Sequence, residues 1–175
     1  MKKYNKKLKE ILKLNKGFTL LELLVVVLII GILAAIAIQK YQLVVDKTKY
    51  SQAMTLLAAL NSAQNRYILA NGSFTTDLYK LDIELPPSGT ITSNSGINNY
   101  YQDKWGNCLL HGNGYGECAV KIGSADVWYF LYWNSSNNRS CWVTPKENAR
   151  GNRLCKAMTG KTNGTENFIY MVYRF

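Results

Sequence analysis

From Phe18 to Ile38 the chain reads Phe-Thr-Leu-Leu-Glu-Leu-Leu-Val-Val-Val-Leu-Ile-Ile-Gly-Ile-Leu-Ala-Ala-Ile-Ala-Ile, twenty-one residues with one charged side chain, Glu22. As an α-helix this run is about 31 Å long, enough to cross the hydrocarbon core of a bilayer. It is too long for an ordinary signal-peptide core and no small-residue cleavage site follows it, so it reads as a signal anchor. What precedes it fixes the orientation. Residues 1–17 carry Lys2, Lys3, Lys6, Lys7, Lys9, Lys13 and Lys16 against one acid, Glu10, a net of +6. Lysines beside an apolar span hold that end in the cytoplasm. The whole chain has a formal net charge of +10, so only +4 remains for residues 18–175. The basic balance therefore reports membrane topology before it reports a nucleic-acid partner.

Helical periodicity continues past the apolar run. Tyr50, Ala53, Met54, Leu57, Leu60, Tyr67 and Ile68 recur at intervals of three, four or seven, one apolar stripe on an otherwise polar helix. No proline interrupts residues 18–71, and Asn71-Gly72 is a natural stop. The pattern predicts one long helix, apolar all round in its first half and amphipathic in its second. Beyond Gly72, residues 73–126 are rich in Gly, Asn, Ser and Thr, contain Pro86-Pro87, and read as loops and turns. Strands are expected at residues 127–133 and 168–173, with shorter ones at 118–122 and 141–144. The expected class is α+β, an N-terminal helix packed on an antiparallel sheet. The domain reading is a leader over 1–17, a transmembrane segment over 18–38, its amphipathic continuation over 39–72 and a globular head over 73–175.

All four cysteines, Cys108, Cys118, Cys141 and Cys155, lie downstream of the apolar span, and none forms a C-x-x-C pair. An even count with wide spacing suits two disulfides outside the cytoplasm better than a zinc site. Of three connectivities, Cys108–Cys118 with Cys141–Cys155 closes the most local loops. A loop of roughly 15 residues closed this way is worth about 3 kcal/mol in the chain-entropy model. No catalytic set, metal-ligand spacing or cofactor fingerprint is present, which argues against an enzyme. His111 sits in the turn-like stretch Leu110–Gly114 and reads as a solvated loop side chain. Asp103, Glu117 and Asp126 lack the spacing of a Ca²⁺ loop and read as surface acids. The many aromatics read as sheet core. Arg139, Lys146, Arg150, Arg153, Lys156 and Lys161 gather in and around the Cys141–Cys155 loop; clustered cations attract polyanions, which offers DNA or a host surface as a partner for the head.

Glu22 is the anomaly of the apolar run, because a carboxylate at membrane depth is costly without a partner. Lys16-Gly17-Phe18-Thr19-Leu20-Leu21-Glu22, followed by the apolar residues, resembles the class III signal of type IV prepilins and type II secretion pseudopilins. The resemblance covers roughly residues 13–41. It implies cleavage between Gly17 and Phe18 by a prepilin peptidase, N-methylation of Phe18, and assembly in which Glu22 attracts the Phe18 ammonium of a neighbouring subunit, with Thr19 beside it. It implies inner-membrane assembly machinery as a further partner, and two locations: a single-pass inner-membrane protein first, an extracellular filament afterwards. Gly31, Ala34, Ala35 and Ala37 would let the helices of a homopolymer approach closely. Gln39 stands where many type IV pilins carry a proline. Asp103-Lys104-Trp105-Gly106-Asn107 is similar to a stretch of the major pseudopilins, so a pseudopilin of a secretion or DNA-uptake system is the alternative to a pilus subunit. A signal-anchored binding protein is a third reading, and it leaves Glu22 unexplained.

Overall fold

The computed structural model describes residues 17–93, 99–112, 114–132 and 139–175, in two units, Met1–Tyr41 and Gln42–Phe175. One helix, Leu20–Asn71 (α1), runs through both. Gln39 lies inside it. It ends where glycine permits a left-handed residue: Gly72 has φ +73° and its amide donates to the Ile68 carbonyl at 2.8 Å, an αL cap.

Within the second unit, α1 buries Tyr50, Ala53, Leu57 and Leu60, the heart of the sequence stripe. Leu56 and Ala63 widen it, while Met54 and Tyr67 pack at its margin. A fully buried leucine contributes on the order of 1.5–3 kcal/mol, so this stripe anchors the unit. Two polar residues share the buried face. Gln64 donates from Nε2 to the Thr75 carbonyl at 2.9 Å, tying the helix to the segment that leaves it. Asp46, 1% exposed, is held by both Nε and Nη2 of Arg150 at 2.7 and 2.8 Å.

The stripe packs on a wholly antiparallel eight-stranded sheet. Its strands are Thr90–Ser93 (β1), Asn99–Asp103 (β2), Gly106–His111 (β3), Tyr115–Ile122 (β4), Ala125–Tyr132 (β5), Arg139–Thr144 (β6), Thr165–Asn167 (β7) and Tyr170–Arg174 (β8), in the spatial order β1-β2-β3-β4-β5-β6-β8-β7. Alternation sets the faces. Cys118, Val120 and Ile122 of β4, with Val127 and Tyr129 of β5, are buried in the core, whereas Lys121 is exposed on the other side. That other face carries a row of rings: His111 stacks on Tyr115 at 4.2 Å, and Phe130 lies 4.8 Å from Trp142, which lies 5.3 Å from Tyr170.

Residues 73–126 are corrected by this sheet: the strand expected at 118–122 is present and extends back to Tyr115 as β4, and three further strands, β1 to β3, lie where loops were expected. Their sequences are too polar to show a strand period, and pairing in successive hairpins satisfies their backbones instead. The expected strand over 168–173 starts late, since Phe168-Ile169 forms the two-residue turn between β7 and β8. Trp133, at the end of another expected strand, lies outside the described residues. The sequence also concealed a second helix, Ala149–Thr159 (α2). Its cap is Asn148, whose side chain accepts from the Gly151 amide at 2.8 Å, and its stop is Gly160 at φ +71°. Gly151 is required there: a Cβ would meet Val143 Cγ1 at 2.5 Å, too close for helix against sheet.

Candidate functional site

Gly17, Phe18 and Thr19 precede the helix without joining it. Thr19 is the cap. Its backbone amide and its hydroxyl donate to Glu22 Oε2 at 2.9 and 2.7 Å, and the Glu22 amide donates back to Thr19 Oγ1 at 3.2 Å. This is a reciprocal capping box, Ser/Thr followed three residues later by Glu, and it satisfies amides that the first helical turn leaves unpaired. A carboxylate in that turn also complements the helix dipole. Glu22 therefore has a partner inside its own chain. The sequence reading of Glu22 missed it, although Thr19-Leu20-Leu21-Glu22 ahead of an apolar run is the signal that reveals it.

Every residue from 17 to 42 is exposed. Phe18 is 74% and Leu20 90% exposed. A continuous apolar surface of this kind marks contact with a membrane or another protein. The helix is long and apolar enough to cross a bilayer. Nothing lies within 4 Å of a Cβ placed on Gly31, and Gly31, Ala34 and Ala35 fall at the i, i+3, i+4 positions of one helical face. Leader residues 1–16 lie outside the described residues.

The profile of the prokaryotic N-terminal methylation motif matches residues 12–38, the stretch that holds Gly17, Phe18, Thr19 and Glu22. The chain is 33% identical over 108 residues to a type IV major pilin protein PilE1 of Neisseria gonorrhoeae, a match that covers 52% of this chain and 66% of that one. It is 50% identical over 58 residues to a fimbrial protein of Pseudomonas aeruginosa, covering 33% of this chain and 38% of that one. The chain carries the prokaryotic N-terminal methylation motif and is similar to type IV pilins and fimbrial proteins. A fimbrial protein of Neisseria meningitidis serogroup B is 43% identical over 61 residues, covering 35% of this chain and 36% of that one. Each match spans less than two thirds of the relative's own length. No solved structure matches the chain.

In the head, Cys108 of β3 is bonded to Cys118 directly across the ladder in β4, and Cys141 of β6 is bonded to Cys155 of α2. The second bond and the Asp46–Arg150 pair fasten α2 to the sheet and to α1 respectively. His111 is corrected from a solvated loop residue: it ends β3, stacks on Tyr115, and brings Nε2 to 3.2 Å from Glu117 Oε1. Glu117 is accordingly no surface acid. Its side chain is 13% exposed, and burial raises its carboxyl above the usual carboxylate range, with His111 pulling the other way. Asp103 accepts from Ser88 Oγ at 2.6 Å, the main reason its carboxyl falls below that range. The Lys104-Trp105 turn joins β2 to β3, and a Cβ on Gly106 would run into the Ala119 carbonyl, which accounts for that glycine by packing alone. Of the six clustered cations, Arg150 is committed to Asp46, Lys146 donates to Glu166 at 2.9 Å, and Arg139 lies over the Phe175 ring at 5.5 Å. Arg153, Lys156 and Lys161 are exposed. Among the described residues no group of three or more His, Cys, Asp or Glu is placed to hold a metal ion.

Proposed function

We propose that this chain is a type IV pilin precursor, a membrane-anchored subunit that is cut between Gly17 and Phe18, N-methylated at Phe18 and polymerised into an extracellular filament. The observation that carries the reading is the wholly exposed apolar stretch of α1, opening on a capped carboxylate four residues beyond Phe18. Residues 17–19 are not helical, so a peptidase can take the Gly17-Phe18 backbone in extended form, with no Cβ on the glycine to obstruct it. Loss of residues 1–17 removes the lysine-rich segment and frees a Phe18 ammonium beside Thr19. Before assembly, the apolar stretch resides in the inner membrane with its N-terminus cytoplasmic. In the filament it exchanges lipid for identical helices, approaching through Gly31, Ala34 and Ala35. Glu22 then answers the ammonium of a neighbour, where low dielectric makes the attraction strong enough to set axial register. Relatives described as type IV major pilins and fimbrial proteins favour a pilus subunit over a pseudopilin. Mass spectrometry of the mature N-terminus, in membrane and sheared-surface fractions, tests the proposal. A chain beginning at N-methylated Phe18, abundant in the sheared fraction, is expected. A chain that retains residues 1–17, or one cut beyond the apolar run, overturns it.

A further inference from the structure

The turn between β7 and β8 is built from two apolar residues, Phe168 and Ile169, which are 91% and 60% exposed. Phe168 has φ +46°, a conformation that a bulky side chain rarely adopts and that surrounding structure must impose. A turn chosen only for folding would place glycine or asparagine there. The same unit carries a mainly apolar groove of about 980 Å³, lined by Val44, Leu56 and Ala59 of α1 together with Ile83 and Trp105. Knob and groove cannot meet within one molecule. The groove lies by the β2–β3 turn and the knob at the β7–β8 turn, five strand spacings apart in the sheet, about 24 Å.

We infer that the Phe168-Ile169 tip of one copy seats in the groove of a second copy, as a contact between heads that supplements the apolar helix. Charge favours the same docking. Glu166 lies two residues before the tip, and Lys146, whose amide donates to the Ile169 carbonyl, pairs with Glu166 and is followed by Glu147, two acids against one cation, whereas Lys47, Lys49 and Lys104 line the groove against Glu84 and Asp103. The contact is heterologous: each copy offers a knob to one neighbour and a groove to another, the kind of contact that builds a helical polymer where its rotation does not close. The surfaces are also continuous in sequence with the proposed assembly segment, because Val44 of the groove follows the exposed apolar run by six residues. This inference rests on the filament reading, and its test separates the two.

All four cysteines are already paired, so new thiols report cleanly. The full-length chain carrying Phe168→Cys and Ala59→Cys together, oxidised in sheared filaments, is expected to give a ladder of covalent multimers. Either substitution alone is expected to give monomers. Filaments without a ladder overturn the knob-and-groove contact and leave the pilin reading intact. Unprocessed chains and no filaments, with the unsubstituted sequence as well, overturn both. Phe168→Gly covers the case in which added thiols disturb folding. Glycine accepts the positive φ, so the melting temperature of the chain is expected to hold or rise while filament yield falls about tenfold, the effect of losing one aromatic anchor from an interface. Filament yield equal to that of the unsubstituted chain overturns the inference.

Discussion

Helix α1 holds two stretches of similar length and opposite fate. Residues 20–38 are almost entirely apolar and every one is exposed, whereas residues 46–64 are more polar and bury Tyr50, Leu57, Leu60, Asp46 and Gln64. The contrast teaches that hydrophobicity alone does not send a helix into a core. Periodicity does: an apolar stripe can be covered by one sheet, but a helix apolar on all sides must be covered all round, by lipid or by copies of itself. The polar residues invert in the same way. Glu22, in the apolar stretch, is exposed and capped locally, while Asp46, in the polar stretch, is buried and paired with a residue 104 positions away.

The largest expected effect breaks the first stretch only. Glu22→Val should abolish filaments, scored by electron microscopy of sheared material, while membrane insertion, cleavage at Gly17 and the melting of the head stay unchanged; normal filaments would remove Glu22 from assembly. A matched pair sharpens the contrast next. Leu57→Ala should cost the head about 2–5 kcal/mol in denaturant titrations of the full chain in micelles, and Leu28→Ala less than about 0.5. Equal losses would mean that the two stretches are not energetically separate. Smaller again, Thr19→Ala removes the cap, worth about 1 kcal/mol, and should speed amide hydrogen exchange in the first turn without altering exchange in the sheet. It also separates the two roles of Glu22, since filaments that survive Thr19→Ala but not Glu22→Val assign the defect to charge and not to capping.

The smallest effect lies on the head and concerns pH. The folded head raises the Glu117 carboxyl above its unfolded value, so the fold favours the protonated form. Its contribution is full below the ordinary carboxylate range and is lost as pH rises through the raised value. Asp77, Asp82 and Asp103 are lowered, so theirs is present above that range and lost as pH falls. Glu117→Gln leaves the second set untouched. The substituted chain should therefore gain stability relative to the original as pH rises from the ordinary carboxylate range towards neutrality. A constant difference across that range would show that Glu117 does not titrate with folding.

Signals that are local and strong were legible in the sequence: the apolar run, the stripe from Tyr50 to Leu60, and the stop at Asn71-Gly72. The capping box at Thr19 was equally local and was overshadowed by the charge of Glu22. Strands β1 to β3 were hidden for a different reason. Thr90–Ser93 and Asn99–Asp103 have little apolar alternation, and what makes them strands is the neighbour each hydrogen-bonds. Helix α2 shows only Leu154, Cys155 and Met158 to the core and carries Gly151 in its first turn, so its propensity is weak. Asp46 and Arg150 could not have been paired from the sequence, because nothing near either residue names the other.

The order of the sheet has one more consequence. From β1 to β6, spatial order follows chain order, and only β8 and β7 are exchanged. Each strand in that series therefore finds its partner already made. A chain delivered N-terminus first, with its apolar segment lodged in a membrane, could build its head by adding one hairpin arm at a time, with no early strand left waiting for a distant one. Such local contacts keep the entropy of loop closure low at every step. Only the last exchange, with Cys155 reaching back to Cys141, asks the chain to double over what it has already laid down.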